Sequence, residues 1–151
     1  MPKPRLVPLI AAAAFTCATL ACAAQAQTTA SDPAIRAAIE ASERGQAVDS
    51  AQFARDPLFG WLEYAGLRRN IDTLPSAQAQ AFLKRYQGQA VAETFREVWL
   101  AAAARRDDWP AFLAAWKPGI KDVKLQCAEL DARQATGHAD AQWVADAQAL
   151  W

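Results

Sequence analysis

The fold is decided by the stretch Thr94-Phe-Arg-Glu-Val-Trp-Leu-Ala-Ala-Ala-Ala-Arg-Arg-Asp-Asp-Trp-Pro-Ala-Phe-Leu-Ala-Ala-Trp116. Apolar residues in its first half recur at i, i+3, i+4 and i+7, one face of a helix, at Phe95, Val98, Trp99 and Ala102. A charged run at 105–108 interrupts the pattern, which then restarts with Trp109, Phe112, Leu113 and Trp116. The spacing therefore predicts two amphipathic helices.

The charged run supplies the means to begin the second helix. Asp107 or Asp108 can accept hydrogen bonds from its first N–H groups, and Pro110 suits its first turn, where a missing N–H costs nothing. Two amphipathic helices joined this closely are expected to fold back on each other as an antiparallel hairpin.

Similar patterns along the chain predict about eight short helices and no strand. Besides the two helices of the central stretch, they lie at 32–45, 47–55 (the weakest), 58–71, 76–88, 123–135 and 140–151. Successive hairpins can bury their faces against their neighbours, so the predicted fold class is all-α, an α-solenoid or superhelix of short antiparallel helix hairpins.

Residues 1–26 have the layout of a secretory signal peptide. Lys3 and Arg5 precede an apolar run from 6 to 20, and Ala24-Gln25-Ala26 offers a cleavage site of small residues. Thr19-Leu-Ala-Cys22 resembles a lipoprotein cleavage box, but Thr and Leu fit its first positions poorly, so we expect cleavage near Ala26 rather than lipid anchoring at Cys22. A linker at 27–31 and a helical domain at 32–151 follow, and no later segment is expected to hold the chain in a membrane.

The composition of the exported part excludes several classes of function. Removal of 26 of the 151 residues also removes two of 16 basic residues, which leaves 14 against 16 acidic ones. No basic surface then indicates nucleic acid. No phosphate-binding loop occurs, and no cofactor is expected.

The same cleavage leaves a single cysteine, Cys127, because Cys17 and Cys22 precede Ala26. In an oxidising compartment an odd cysteine is either a buried, unreactive thiol or one whose partner lies outside this sequence. The residues alone leave both alternatives open.

Three candidate chemical sites each have a simpler structural interpretation. Glu63 lies beside Trp61 and Tyr64 and could act as an acid in a sugar cleft, but spacing places no second carboxylate with it, so a carboxylate on the flank of a helix is favoured. Asp107 and Asp108 are expected to cap a helix rather than to form a catalytic pair. His138 has no ligand at metal-binding spacing, so we expect it to face water and predict no metal site.

The tryptophans could stack on glycan strands, but five of them occupy apolar helix faces: Trp61, Trp99, Trp109, Trp116 and Trp143. Packing in the core is the favoured interpretation for most of them.

Five matches to the soluble lytic murein transglycosylases run in order over about residues 50–151. Asp56-Pro-Leu-Phe-Gly-Trp-Leu-Glu-Tyr64 resembles the family's PL..YLEY signature, and Phe82-Leu-Lys-Arg-Tyr86 resembles its next helix. Glu97-Val-Trp-Leu100 with Ala104-Arg-Arg-Asp-Asp-Trp109 resembles its R..WL..LA.R.DW helix pair. Leu125-Gln-Cys127, Ala132-Arg133, Gly137 and Ala149-Leu-Trp151 resemble the segment that follows.

The resemblance implies an exported enzyme of Gram-negative bacteria that cleaves the cell wall. In that family a U-shaped superhelical domain precedes a lysozyme-like domain, where one Glu acts as acid and then as base on the bond between N-acetylmuramic acid and N-acetylglucosamine and a 1,6-anhydro ring forms. The partner would be peptidoglycan glycan strands, bound by the full-length parent. The family's Leu-x-Cys segment is also followed by a second cysteine, so the resemblance implies a disulfide from Cys127 to a partner beyond Trp151.

This chain departs from the family in its catalytic motif. The family's Glu is followed by Ser, and none of the six glutamates here is, so no catalytic residue can be carried over. The sequence also stops within a helical pattern at Trp151, without the polar cap that a terminal repeat needs. We therefore expect a truncated, non-catalytic scaffold; the alternatives are a stand-alone periplasmic helical-repeat adaptor that binds another protein and, less favoured, a small helical enzyme.

Overall fold

The computed structural model describes residues 33–150, which are all-helical and contain no strand. Seven α-helices span Pro33–Glu43 (α1), Phe59–Arg68 (α2), Ser76–Arg85 (α3), Ala90–Arg105 (α4), Trp109–Ala115 (α5), Val123–Ala135 (α6) and Ala141–Ala149 (α7). Two short 3₁₀ turns occupy Ser50–Phe53 and Ile71–Thr73. The all-α prediction is confirmed, whereas the signal peptide at 1–26, the linker at 27–31 and Trp151 lie outside the described residues.

Helices α4 and α5 form as the central stretch predicts. Phe95, Trp99 and Ala102 are fully buried on α4, and the side chain of Asp108 accepts a hydrogen bond from Ala111 N at the start of α5 (3.3 Å). Arg96, in the first half of α4, donates from Nη1 to the carbonyl oxygen of Ala115 at the end of α5 (2.6 Å). The start of α4 therefore lies beside the end of α5, which is the expected antiparallel hairpin.

Helix α4 is the centre of the packing. It contacts α2, α3, α5, α6 and the second 3₁₀ turn, while α1 packs on α2 and α7 packs on α6. The centre of its Phe95 ring lies 4.5 Å from the centre of the Phe82 ring on α3 and 6.4 Å from the centre of the Tyr64 ring on α2. Each helix thus has its main packing partners next, or next but one, along the chain.

The prediction of a helix at 47–55 is wrong. Only the 3₁₀ turn Ser50–Phe53 forms there; the Asp49 side chain accepts from Ala51 N (3.2 Å), and none of the turn's residues is buried. A helix without an apolar face gains little from packing, so the local hydrogen bonds to Asp49 determine the conformation. The described part therefore has seven helices rather than about eight.

The tryptophans are less buried than their spacing suggests. Trp99 is fully buried, but Trp61, Trp109 and Trp116 are half-buried against the core. Trp143 is also half-buried, with its Nε1 donating to the carbonyl oxygen of Leu130 (2.8 Å). Core packing is thus correct in full only for Trp99, and the other four cover the edges of the core.

Within residues 33–150, none of the helices is both long enough and apolar enough to cross a bilayer.

Candidate functional site

One group of connected polar side chains lies where the middle of α2 approaches the end of α3. Arg85 Nη1 contacts both oxygens of the Glu63 carboxylate, at 2.8 Å and 3.1 Å. The Tyr86 hydroxyl donates to Glu63 Oε2 (2.5 Å). Glu63 is three-quarters buried in its side chain, so its charge is satisfied by one cation and one phenol rather than by water.

This contact changes the titration of Tyr86. Burial, and then the hydrogen bond to Glu63, raise the pKa of the Tyr86 phenol to about 12. Ionisation of the phenol would break its hydrogen bond to the Glu63 carboxylate and place two negative charges side by side. This contact therefore raises the pKa of the phenol, as burial does.

A shallow groove of about 270 Å³ lies beside this group. It is lined by the apolar side chains of Leu67 and Phe82 and by the polar side chains of Glu63, Gln78 and Arg85. Since Glu63 is held by Arg85 and Tyr86, it is an ion-pair partner on the flank of α2, as the favoured interpretation of the sequence expects. A catalytic general acid would need to present its proton to a ligand, whereas the Glu63 carboxylate accepts hydrogen bonds from two side chains of its own chain.

The close approach of α2 to Tyr86 depends on a glycine. A Cβ atom placed on Gly60 would lie 2.8 Å from Tyr86 Cε1 and 3.1 Å from Val91 Cγ1. Any larger residue at this position would push the Tyr86 ring away from Glu63.

The two arginines of the charged run join α4 to the second 3₁₀ turn. Arg105 forms an ion pair with Asp72, and Arg106 Nη1 donates to the carbonyl oxygens of Ile71 (3.0 Å) and Asp72 (2.6 Å). The guanidinium carbon of Arg106 also lies 4.9 Å from the centre of the Trp99 ring, a cation–π distance. The sequence pattern predicts a helix cap from the aspartates of this run but does not predict these contacts of its arginines.

The acidic pair of the same run is not a catalytic site. Asp108 caps α5, which confirms one of the two expected alternatives. Asp107 instead adopts a left-handed conformation (φ 54°), which ends α4 and turns the chain.

His138 is exposed, and its Nδ1 lies 2.9 Å from Thr136 Oγ1 in the turn after α6. The described residues contain no group of three or more His, Cys, Asp or Glu side chains that could hold a metal ion.

Cys127 is exposed on α6, and its thiol is free. The alternative of a buried, unreactive thiol is therefore wrong, because this face of α6 is left uncovered by its neighbours. The disulfide to a partner beyond Trp151 stays a prediction.

Besides the hydrogen bond of Trp143, ion pairs of one arginine hold α7 against α6. Arg133 contacts Asp146 (2.7 Å), Asp140 (3.1 Å) and Glu129 (3.5 Å), with its side chain 15% exposed. A hydrogen bond from the Trp143 backbone lowers the pKa of Asp140, and the hydrogen bond from Arg133 lowers that of Asp146, whereas burial raises the pKa of Glu129. Asp140 and Asp146 therefore stabilise the fold at pH values above their ordinary pKa, and this contribution is lost as the pH falls through their lowered pKa values. The raised pKa of Glu129 gives the opposite pH dependence, because its contribution is lost as the pH rises through that raised pKa.

The chain matches no protein-family model, and no curated protein or solved structure is significantly similar to it.

Proposed function

We propose that this chain is the non-catalytic helical scaffold of a periplasmic peptidoglycan lytic transglycosylase. The parent enzyme would cleave the bond between N-acetylmuramic acid and N-acetylglucosamine with formation of the 1,6-anhydro sugar. The helices would contact glycan strands while another domain performs the reaction. The proposal depends on the sequence resemblance and on the roles that the resembling residues have in the fold.

The observation that carries the proposal is that the resembling segments contact one another. Glu63 of the first segment contacts Arg85 and Tyr86 of the second. Residues that serve a scaffold are expected to make such contacts between helices, whereas catalytic residues are expected to face an open cleft.

The packing order is compatible with a superhelix. Helices α2 and α6 both pack on α4, and α5 packs on α4 and α6, as in a row of hairpins in which each unit contacts its neighbours. We extend this order to the U-shaped superhelix of the proposed family.

The scaffold role also accounts for the exposed thiol. Cys127 is accessible on α6, and a cysteine in a further part of the parent protein would pair with it in an oxidising compartment. The signal sequence at 1–26 would direct the chain to the periplasm, and a reporter fused after residue 151 should be active there only when that segment is present.

The experiment that tests the proposal is cosedimentation of the purified protein with isolated peptidoglycan sacculi. We expect the protein to sediment with the sacculi and to release no anhydro-muropeptides. Release of these products would contradict a non-catalytic role, and failure to sediment would contradict a role at the wall.

The reading frame beyond residue 151 provides a second test. We expect it to continue into a lysozyme-like module with a Glu-Ser pair and a cysteine. A stop codon directly after Trp151 would favour the alternative of a stand-alone adaptor.

A further inference from the structure

Helix α7 is attached to α6 mainly by polar contacts, because it has no buried apolar face of its own. No residue of α7 is buried, and its half-buried Trp143 donates from Nε1 to the carbonyl oxygen of Leu130 (2.8 Å). Leu130 is itself buried outside the apolar cluster around α4, and this hydrogen bond places α7 beside it. Since helices in proteins gain most of their stability from packing, the ion pairs of Arg133 are a large part of what holds α7.

Three carboxylates share the guanidinium of Arg133. Asp146 of α7 and Glu129 of α6 both lie at Nη1, at 2.7 Å and 3.5 Å, and Asp140, the N-cap of α7, lies 3.1 Å from Nη2. The side chains of Arg133 and Glu129 are only 15% and 16% exposed, so salt and water screen their charges less than at an open surface. The cluster therefore has more negative than positive charge in a partly buried place.

The other helices that pack on α6 contribute no charge to this cluster. Helix α5 contains no charged residue, and none of the charged side chains of α4 is an ion-pair partner of Arg133. His138, in the turn before α7, has its Nδ1 beside Thr136 Oγ1 rather than at Arg133. The groups that titrate in the cluster are thus its three carboxylates.

The charge of Glu129 opposes the docking of α7. Glu129 and Arg133 lie on the same helix at i,i+4 spacing, so their attraction is present whether or not α7 is docked. Docking adds the Asp146 carboxylate, which lies closer to the same nitrogen and repels Glu129. Burial raises the pKa of Glu129 and outweighs the attraction of Arg133, and the charge of Asp146 raises this pKa further. Protonation of Glu129 and docking of α7 therefore favour each other.

These charges define how the attachment of α7 depends on pH. Glu129 supports docking fully below its ordinary pKa of 4.5, and this support is lost as the pH rises through its raised pKa. Asp140 and Asp146 have pKa values lowered from 3.8, so their support is present above 3.8 and is lost only in stronger acid. The attachment should therefore be tightest in mild acid and should weaken toward neutral pH.

We propose that α7 is a latch controlled by the charge of Glu129, closed on α6 when this carboxylate is neutral and loosened when it competes with Asp146 for Arg133. Opening of the latch exposes Leu130 and the indole of Trp143 and leaves the core around α4 intact. This device goes beyond the proposed scaffold role and does not depend on it.

The test is hydrogen exchange of the purified protein, followed by NMR at about pH 4.5 and about pH 7 and corrected for the intrinsic pH dependence of exchange. The reporters are the amides of α7 and the indole N–H of Trp143, and the amides of α4 are the internal reference. Relative to α4, we expect the protection of the reporters to fall about fourfold between the two pH values. This is the factor for a unit charge about 5 Å away in a solvent-like dielectric.

Variants assign the effect to one carboxylate. Glu129→Gln keeps the shape of the side chain without its charge, so it should raise the protection of α7 at pH 7 about fourfold and abolish the difference between the two pH values. Asp131→Asn is the matched control, because Asp131 is an exposed carboxylate on the same helix and is not a partner of Arg133. His138→Gln removes the side chain whose ordinary pKa lies nearest neutrality and should leave the difference intact.

The opposite results would overturn the proposal. Equal protection of α7 at both pH values, or unchanged protection in Glu129→Gln, would show that the charge of Glu129 does not control the helix. Loss of the difference in His138→Gln would assign it to the histidine, and an equal gain in Asp131→Asn would indicate a general effect of charge on α6. Sedimentation with sacculi would be unaffected by such a failure, so the two proposals fail separately.

Discussion

Replacement of Gly60 by alanine tests the packing of α2 against α3 and α4. The new Cβ would lie 2.8 Å from Tyr86 Cε1 and 3.1 Å from Val91 Cγ1, where carbon atoms prefer about 3.5–4.0 Å. The Tyr86 ring cannot move aside freely, because it is buried and its hydroxyl is bonded to Glu63. The clash must therefore be relieved by moving a helix or by breaking that hydrogen bond.

The magnitude follows from two opposing effects. Overpacking of a filled core costs about 1–3 kcal/mol. Alanine regains up to about 1 kcal/mol over glycine inside a helix, and less at position 60 because it lies in the first turn of α2. We expect Gly60→Ala to lower the free energy of unfolding by about 1–2 kcal/mol.

Gly66→Ala on the same helix is the matched control. Its added Cβ would meet only Ser42 Oγ, at 3.7 Å, an ordinary contact, so the helix propensity should raise the free energy of unfolding by about 1 kcal/mol. Urea unfolding followed by tryptophan fluorescence measures both variants. If Gly60→Ala proved as stable as Gly66→Ala, the close approach of Tyr86 to α2 would be refuted.

Three further predictions concern single side chains. Arg133→Ala should accelerate amide exchange in α7, because it removes the cation shared by the acidic groups of α6 and α7. The control Arg36→Ala, at an exposed arginine, should not. Equal exchange in both variants would contradict the role of Arg133 in holding α7. The part of the phenol absorbance change that occurs near pH 12 should vanish in Tyr86→Phe, and stability should fall as the pH rises from about 10 to about 12, since the folded protein retains this proton longer; an unchanged titration would refute the assignment. Asp108→Ala should lower the free energy of unfolding by about 1 kcal/mol, because the N-cap of α5 is lost. Asp107→Gly should leave the free energy of unfolding unchanged or raise it, because glycine adopts the positive φ of this position without strain. Thermal melts distinguish the two variants.

The helices could be predicted wherever an apolar face recurs at helical spacing. The central stretch has this face twice, and both α4 and α5 form on it. Residues 47–55 have only a weak pattern, and the local bonds of Asp49 prevail there. The strength of the apolar face, rather than helix propensity, separates the two cases.

The contacts at the candidate site could not be predicted from local pattern. Glu63 and Tyr86 are 23 positions apart, and the packing of both α2 and α3 on α4 brings them together. Periodicity shows which face of a helix is buried but does not show which neighbour covers it.

The partial burial of the tryptophans has a related cause. Spacing places Trp61, Trp109 and Trp116 on apolar faces, and each does pack against the core. Indole rings are too large to be covered completely at the edge of a few packed helices, so among the tryptophans of residues 33–150 only Trp99, on the central α4, is enclosed.

The packing of each helix on its nearest neighbours in the chain has a consequence for how quickly the native state is reached. Loops that close over short sequence distances lose little chain entropy, and proteins of low contact order fold in about microseconds to milliseconds. During synthesis, α4 can therefore pack onto α2 and α3 before the last helices leave the ribosome. Each later helix then packs against a helix that has already folded.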